Sequence, residues 1–314
     1  MSEEENKKRF KILVCIDRTE DSYRGLRYAV RIGSGLDADI TLLYVRSVDK
    51  GLRTGGLDIR MVRENLLEWG LELPGKKSLK KARDMLIEMD FLSDDWREKT
   101  VHTDVKGDPL GDNLIEYTSD EGRKITLKLM VSPAVDLGIL DECQMGDYDI
   151  TIVSGSEDPE LDEDARFGIS AAQTVATEAK GTVLFARELE ENHGHLMCVQ
   201  NSEASLEAVR KDALIASRCF CPIYLFSVAE DETETENAKA AIAGAKAVIE
   251  EMGLAVSGEK IAVGDSVDCI VEEGKNYSII VVAASEKAGF HRFFRSNTAF
   301  KVLENAYNSV MIVR

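Results

Sequence analysis

Long apolar runs are missing from these 314 residues: none approaches the roughly 20 residues that a membrane-spanning helix needs. The opening MSEEENKKRF is charged throughout and does not resemble a secretory leader, so a cytoplasmic location without a membrane partner is expected. Positive charge is also scarce. Lys and Arg number 39 against 57 Asp and Glu, a formal net charge of -18, which repels nucleic acid and anionic lipid. No nucleic-acid partner is expected. The six cysteines are scattered and none stands in CxxC spacing, which argues against a disulfide framework. Cys219 and Cys221 form a CxC, but no second ligand pair follows at metal-binding spacing, and Cys15 and Cys198 fall inside apolar strands as small hydrophobes do. His102, His193, His195 and His291 are dispersed, and neither HExxH nor GxSxG occurs. The expectation is therefore no nucleophile-base constellation, no metal site and no enzyme.

What the chain does have is a repeat. Residues 12–22 read ILVCIDRTEDS and residues 195–205 read HLMCVQNSEAS, an offset of 183 that holds without a gap from Ile12 to Val45. Leu13 falls on Leu196, Glu20 on Glu203, Arg27 on Arg210 and Val45 on Val228. The two ends agree as well, GTVLFAR at 181–187 with NSVMIVR at 308–314. Two copies of one unit follow, residues 1–190 and 191–314.

Within each copy strands alternate with helices. HLMCVQ, PIYLFSV, KIAVGD, YSIIVVAAS and SVMIVR read as strands, and SEASLEAVRKDALIAS and ETENAKAAIAGAKAVIEEMG as helices, the first opening on a serine cap region and the second closing on Gly253. Such alternation predicts an α/β fold, two tandem doubly wound parallel-sheet domains. The first copy is longer, with an insert at about residues 46–131. Residues 114–131 alternate with a period near two on either side of SDEG, which predicts a β-hairpin with Gly122 at the left-handed turn position. A helix over GDPLGDNLIEYTSDEG is the competing reading.

These features together resemble the universal stress proteins. The resemblance rests on CIDRTEDS after the first strand, on IVSGSED followed by GISAAQTVATEAKGTVLFAR, and on VVAASEKAGF followed by KVLENAYNSVMIVR. It covers nearly the whole chain as two tandem copies and implies a Rossmann-like fold. Members of that family that bind ATP or AMP carry a loop of the form G-x-x-G-x9-G-(S/T), whose glycines let backbone amides approach phosphate at a helix N-terminus. The opening aspartate and nearby backbone hold the adenosine. The resemblance thus implies Asp17, Val45, Gly155, Ser156, Gly168 and Ser170 as candidate nucleotide contacts in the first copy. The alternative for Asp17 is a helix cap.

The departures matter more. In the first copy Asp158 replaces the second glycine, Ile169 separates Gly168 from Ser170, and the loop carries Glu157, Asp158, Glu160, Asp162, Glu163 and Asp164. Like charges about 5 Å apart repel by roughly 0.8 kcal/mol even in water. In the second copy Ala284, Lys287, Ser296 and Asn297 occupy the loop positions and Gln200 replaces the aspartate. The expected function is a non-enzymatic cytosolic stress-response or regulatory protein, with a degraded adenine-nucleotide site in the first copy, none in the second, and no required cofactor. Alternatives are an ATP or AMP sensor acting through the first copy, and a scaffold regulating a protein partner such as a transporter. The copies should pair as an internal pseudo-dimer through GTVLFAR and NSVMIVR, with further homodimerisation left open.

Overall fold

A computed structural model of the protein describes residues 9–47, 74–105, 108–154, 169–187, 194–284 and 298–314. β1 (Lys11–Cys15) turns Ile12 and Val14 to one apolar layer and Leu13 and Cys15 to the other, so its alternation serves two covered faces. Thr19 caps α1 (Glu20–Leu36) by accepting from the Ser22 N–H, and Asp37 closes the helix in the left-handed region. Then follow β2 (Asp39–Ser47), α2 (Pro74–Glu88), β3 (Arg97–Val105), β4 (Asp108–Thr118), β5 (Lys124–Ser132), α3 (Val135–Gly146), β6 (Ile150–Val153), α4 (Ile169–Glu178) and β7 (Thr182–Phe185). The second half runs β8 (His195–Cys198), α5 (Glu203–Arg218), β9 (Ile223–Ala229), α6 (Thr235–Glu251), β10 (Gly258–Val263), α7 (Ser266–Gly274), β11 (Ile279–Ala283), α8 (Thr298–Asn305) and β12 (Ser309–Val313).

The strands join one twelve-stranded sheet in the order β10-β9-β8-β11-β12-β7-β6-β1-β2-β5-β4-β3. Helices α1, α2, α5 and α6 cover one face and α3, α4, α7 and α8 the other. The expected tandem doubly wound α/β fold is present. In the first half the chain steps from β1 outward to β2 and β5, then returns to β6 and β7 on the other side. The strand order therefore reverses between β1 and β6, and the helices that follow these strands, α1 and α4, cover opposite faces.

The halves meet where β7 pairs antiparallel with β12, Val183 opposite Ile312, Leu184 opposite Met311 and Phe185 opposite Val310. These are the segments expected to join them. Two equivalent arginines tie the seam in both directions. Arg187 donates to the carbonyls of Asn308 (2.9 Å) and Leu303 (2.7 Å), while Arg314 donates to those of Gly181 (3.3 Å) and Thr177 (3.1 Å). Such reciprocity is the signature of an isologous interface, here within one chain.

The hairpin forms with the expected turn: β4 pairs antiparallel with β5, and Gly122 sits at φ 82°. The expected limits of the insert need correcting, however. β5 pairs parallel with β2 as β10 pairs parallel with β9, so Lys124–Ser132 is a strand common to both halves. Only β3 and β4 lack counterparts among the described residues. β3 is exposed along almost its whole length, and its Arg97, Glu98, Lys99 and Asp104 put charge on the sheet's outer edge, which discourages pairing with another chain.

Candidate functional site

At the topological switch point between β1 and β6 stands one of the first half's candidates, Asp17. Asp17 follows β1, is 7% exposed, and accepts through Oδ1 from the Thr19 N–H (2.7 Å) and the Thr19 hydroxyl (2.6 Å). The helix cap is therefore Thr19, and Asp17 fixes that cap from outside the helix. Its charge is felt nearby: burial pushes the Tyr44 phenol up, Arg18 opposes that shift, and Asp17 adds to it. Across the switch point Ser154 follows β6, 2% exposed, with a hydroxyl that has no hydrogen-bond partner. A Cβ on Gly25 would lie 3.2 Å from that hydroxyl, so the bare glycine leaves room at the start of α1.

The other candidates are placed differently. Val45 lies on β2, its side chain buried against α3 so closely that a Cβ on Gly138 would fall 2.6 Å from it; the side chain belongs to the core. Ser170 is exposed in the first turn of α4, its carbonyl accepting from the Thr174 hydroxyl (3.0 Å). Gly155, Ser156, Gly168 and the acidic loop between them lie outside the described residues. Arg46, next to Val45, is neutralised by a two-point ion pair with the buried Asp108.

The second half departs at each of these places. By sheet register Ala283 stands where the first half has Ser154, and Gly264 where it has Ser132, another buried hydroxyl without a partner. Gln200 is exposed, and its backbone N–H donates to the Ser205 hydroxyl at 2.9 Å.

Five strands away from β1, at the N-terminal end of β8, the second half carries what the sequence reading missed. His195, 2% exposed at the start of β8, has Nδ1 at 2.9 and 3.1 Å from the two carboxylate oxygens of Asp212, itself fully buried on α5. Cys221, in the turn leading to β9, stands beside this pair: the His195 N–H donates to the carbonyl of the next residue, Pro222 (2.9 Å), and the Cys221 sulfur lies 3.7 Å from the Cys219 carbonyl. These residues are far apart in sequence and match no motif. The one signal in the sequence was the repeat, which sets His195, Asp212 and Cys221 against Ile12, Ala29 and Ala38, all fully buried and apolar. Among the described residues no three His, Cys, Asp or Glu side chains are placed to hold a metal ion, and no helix is long and apolar enough to cross a membrane.

No protein-family model matches the sequence, and no curated protein matches it either. Solved structures do. A universal stress protein from Archaeoglobus fulgidus DSM 4304 superposes with a TM-score of 0.60 at 14% identity, over 97% of this chain and 96% of that one. A candidate universal stress protein from Pseudomonas aeruginosa UCBPP-PA14 gives 0.60 at 13% identity over 96% and 92%. A functionally unknown protein from Pseudomonas aeruginosa PAO1 gives 0.57 at 14% over 96% and 92%. The chain has the tandem universal stress protein fold.

Proposed function

We propose that this chain, built on the tandem universal stress protein fold, is a stress-response or regulatory protein with one weakened adenine-nucleotide site per chain, in the first half. The asymmetry of the two switch points carries the reading. The first keeps a buried carboxylate, Asp17, and a buried hydroxyl without a partner, Ser154, while the second has exposed Gln200 and Ala283 in those places. Asp17 would accept from a ribose or adenine donor. The acidic stretch from Glu157 to Asp164 disfavours phosphate, and more so the more charge the ligand carries.

Calorimetry tests this. AMP should bind at one site per chain, weakly, with ATP no tighter unless magnesium is supplied, and Asp17→Ala should remove the binding. Neutralising the loop as Asp162→Asn, Glu163→Gln and Asp164→Asn removes three repulsions of roughly 0.8 kcal/mol each at about 5 Å. ATP affinity should then rise about tenfold or more, most at low salt. Tight ATP binding by the unaltered chain, two sites per chain, or no gain in the triple variant would each count against the site.

A further inference from the structure

The His195, Asp212 and Cys221 cluster has no role in the first half's nucleotide site, because β8 stands five strands away from β1 in the sheet. Nor does the fold require it. The first half builds the same three positions from Ile12, Ala29 and Ala38 at full burial, so ordinary apolar packing suffices there. Replacing such packing with buried ionisable groups is commonly neutral or destabilising, which points to a use for the groups themselves.

The local backbone adds two observations. Cys219 closes α5, and Cys221 follows after a single residue, its N–H donating to the Ala216 carbonyl at 2.8 Å. Between them Phe220 holds φ 55°, a conformation in which a bulky residue is strained, and it is 92% exposed. Its counterpart is Asp37, a residue type that tolerates the left-handed region better. The two sulfurs thus sit on a tight turn. An i, i+2 spacing around such a turn is compatible with the roughly 4.4–6.8 Å Cα separation of a disulfide. Cys219 is buried, with its sulfur 3.7 Å from the Arg31 carbonyl of α1, whereas Cys221 is partly exposed.

We propose that Cys221 is a peroxide-reactive thiolate, held against the His195–Asp212 pair, and that hydroperoxides convert it to a disulfide with Cys219. The charged groups facing it agree. The adjacent Cys219 thiol lowers the Cys221 pKa most; burial opposes this, and His195 and the Arg31 charge lower it further. Burial works against a charged His195, but Asp212 outweighs it and raises that group to about 10. In the first step the Cys221 sulfur attacks the terminal oxygen of the hydroperoxide. An S–O bond forms, the O–O bond breaks, and the departing alkoxide or hydroxide takes the His195 proton. In the second step the Cys219 sulfur attacks Cys221, an S–S bond forms, and the hydroxyl leaves with the Cys219 proton as water. Two thiols lose two electrons, and the hydroperoxide becomes one alcohol (or water) and one water.

The test uses hydrogen peroxide on the full chain, with Cys269, which is also partly exposed, as an internal comparison. Mass spectrometry should find a Cys219–Cys221 disulfide before any loss of the Cys269 thiol. Cys221→Ser should abolish it, and Cys219→Ser should stop the reaction at a Cys221 sulfenic acid trapped by dimedone. A thiol of ordinary pKa near 8.5 slows roughly seventyfold between pH 8 and pH 6, because only the thiolate reacts. Cys221 should slow less than threefold. His195→Ile combined with Asp212→Ala, which installs the first half's residues, should cost at least tenfold at pH 6 and little at pH 9.5. If that variant does not fold, the pH profile of the unaltered chain decides alone. Reaction no faster than that of Cys269, a seventyfold fall, or oxidation of Cys221 without a bond to Cys219 would each overturn the proposal.

Discussion

His195 and Ile12 hold the same place in the two halves, and exchanging one for the other changes how stability responds to pH. The folded chain raises the His195 pKa from 6.5 to about 10, although burial opposes this, because Asp212 outweighs burial. Alone, that contribution would be complete below pH 6.5 and lost as pH rises towards 10. Cys221 has the opposite sign. Its thiol is lowered from 9.0, chiefly by the adjacent Cys219 thiol, so its contribution is complete above pH 9 and lost as pH falls through the depressed value. Between pH 6.5 and 9 the folded pair and the unfolded pair each hold one proton, and the two slopes cancel. Denaturant titrations of the reduced chain should show this cluster contributing no pH dependence in that window. In Cys221→Ser the histidine slope is left alone, and stability should fall from pH 6.5 to 9 by more than in the unaltered chain. Equal slopes in the two proteins would mean that no proton is shared. The cluster was hard to read in sequence because histidine, aspartate and cysteine each look ordinary in a strand or helix. Only the register between the halves shows that their positions are apolar elsewhere.

At the level of elements, the strand and helix order was legible because apolar alternation and caps act locally. Ser202 accepts from the Ser205 N–H at the start of α5, and Gly253 closes α6 at φ 73°. The extent of the insert was not legible. Whether Lys124–Ser132 pairs only with β4 or also with β2 depends on a partner more than 70 residues earlier, and a two-faced strand looks the same either way. The turn itself is testable. A Cβ placed on Gly122 would have nothing within 4 Å, so a substitution there meets no clash and reports backbone strain alone. Gly122→Val should lower stability by about 1–2 kcal/mol, as expected for a β-branched residue forced to positive φ. Gly122→Asn should lose less than half of that. Equal losses for both, measured by urea denaturation, would show that the turn relaxes to another shape.

For the whole molecule, the decisive feature is that two sheets with an exposed edge each become one sheet through β7 and β12. Every paired residue of this seam is at most 2% exposed: Val183, Leu184, Phe185, Val310, Met311 and Ile312. Arg187, whose pKa burial lowers to about 10, and Arg314, also lowered by burial, direct their donors to carbonyls of the opposite half. Hydrogen bonds from charged groups contribute roughly 1.5–3 kcal/mol each, and separation would leave those carbonyls without them. Separating the halves as residues 1–190 and 191–314 would also bare two apolar strand edges, the arrangement most prone to pairing with another chain. Each half expressed alone should therefore self-associate by sizing chromatography and melt below the intact chain. Mixing equal amounts should yield a one-to-one complex that recovers most of the lost thermal stability, since the reciprocal arginine contacts exist only between unlike halves. Two halves that stay monomeric, soluble and as stable as the whole would show that the seam is a mere contact between independent units.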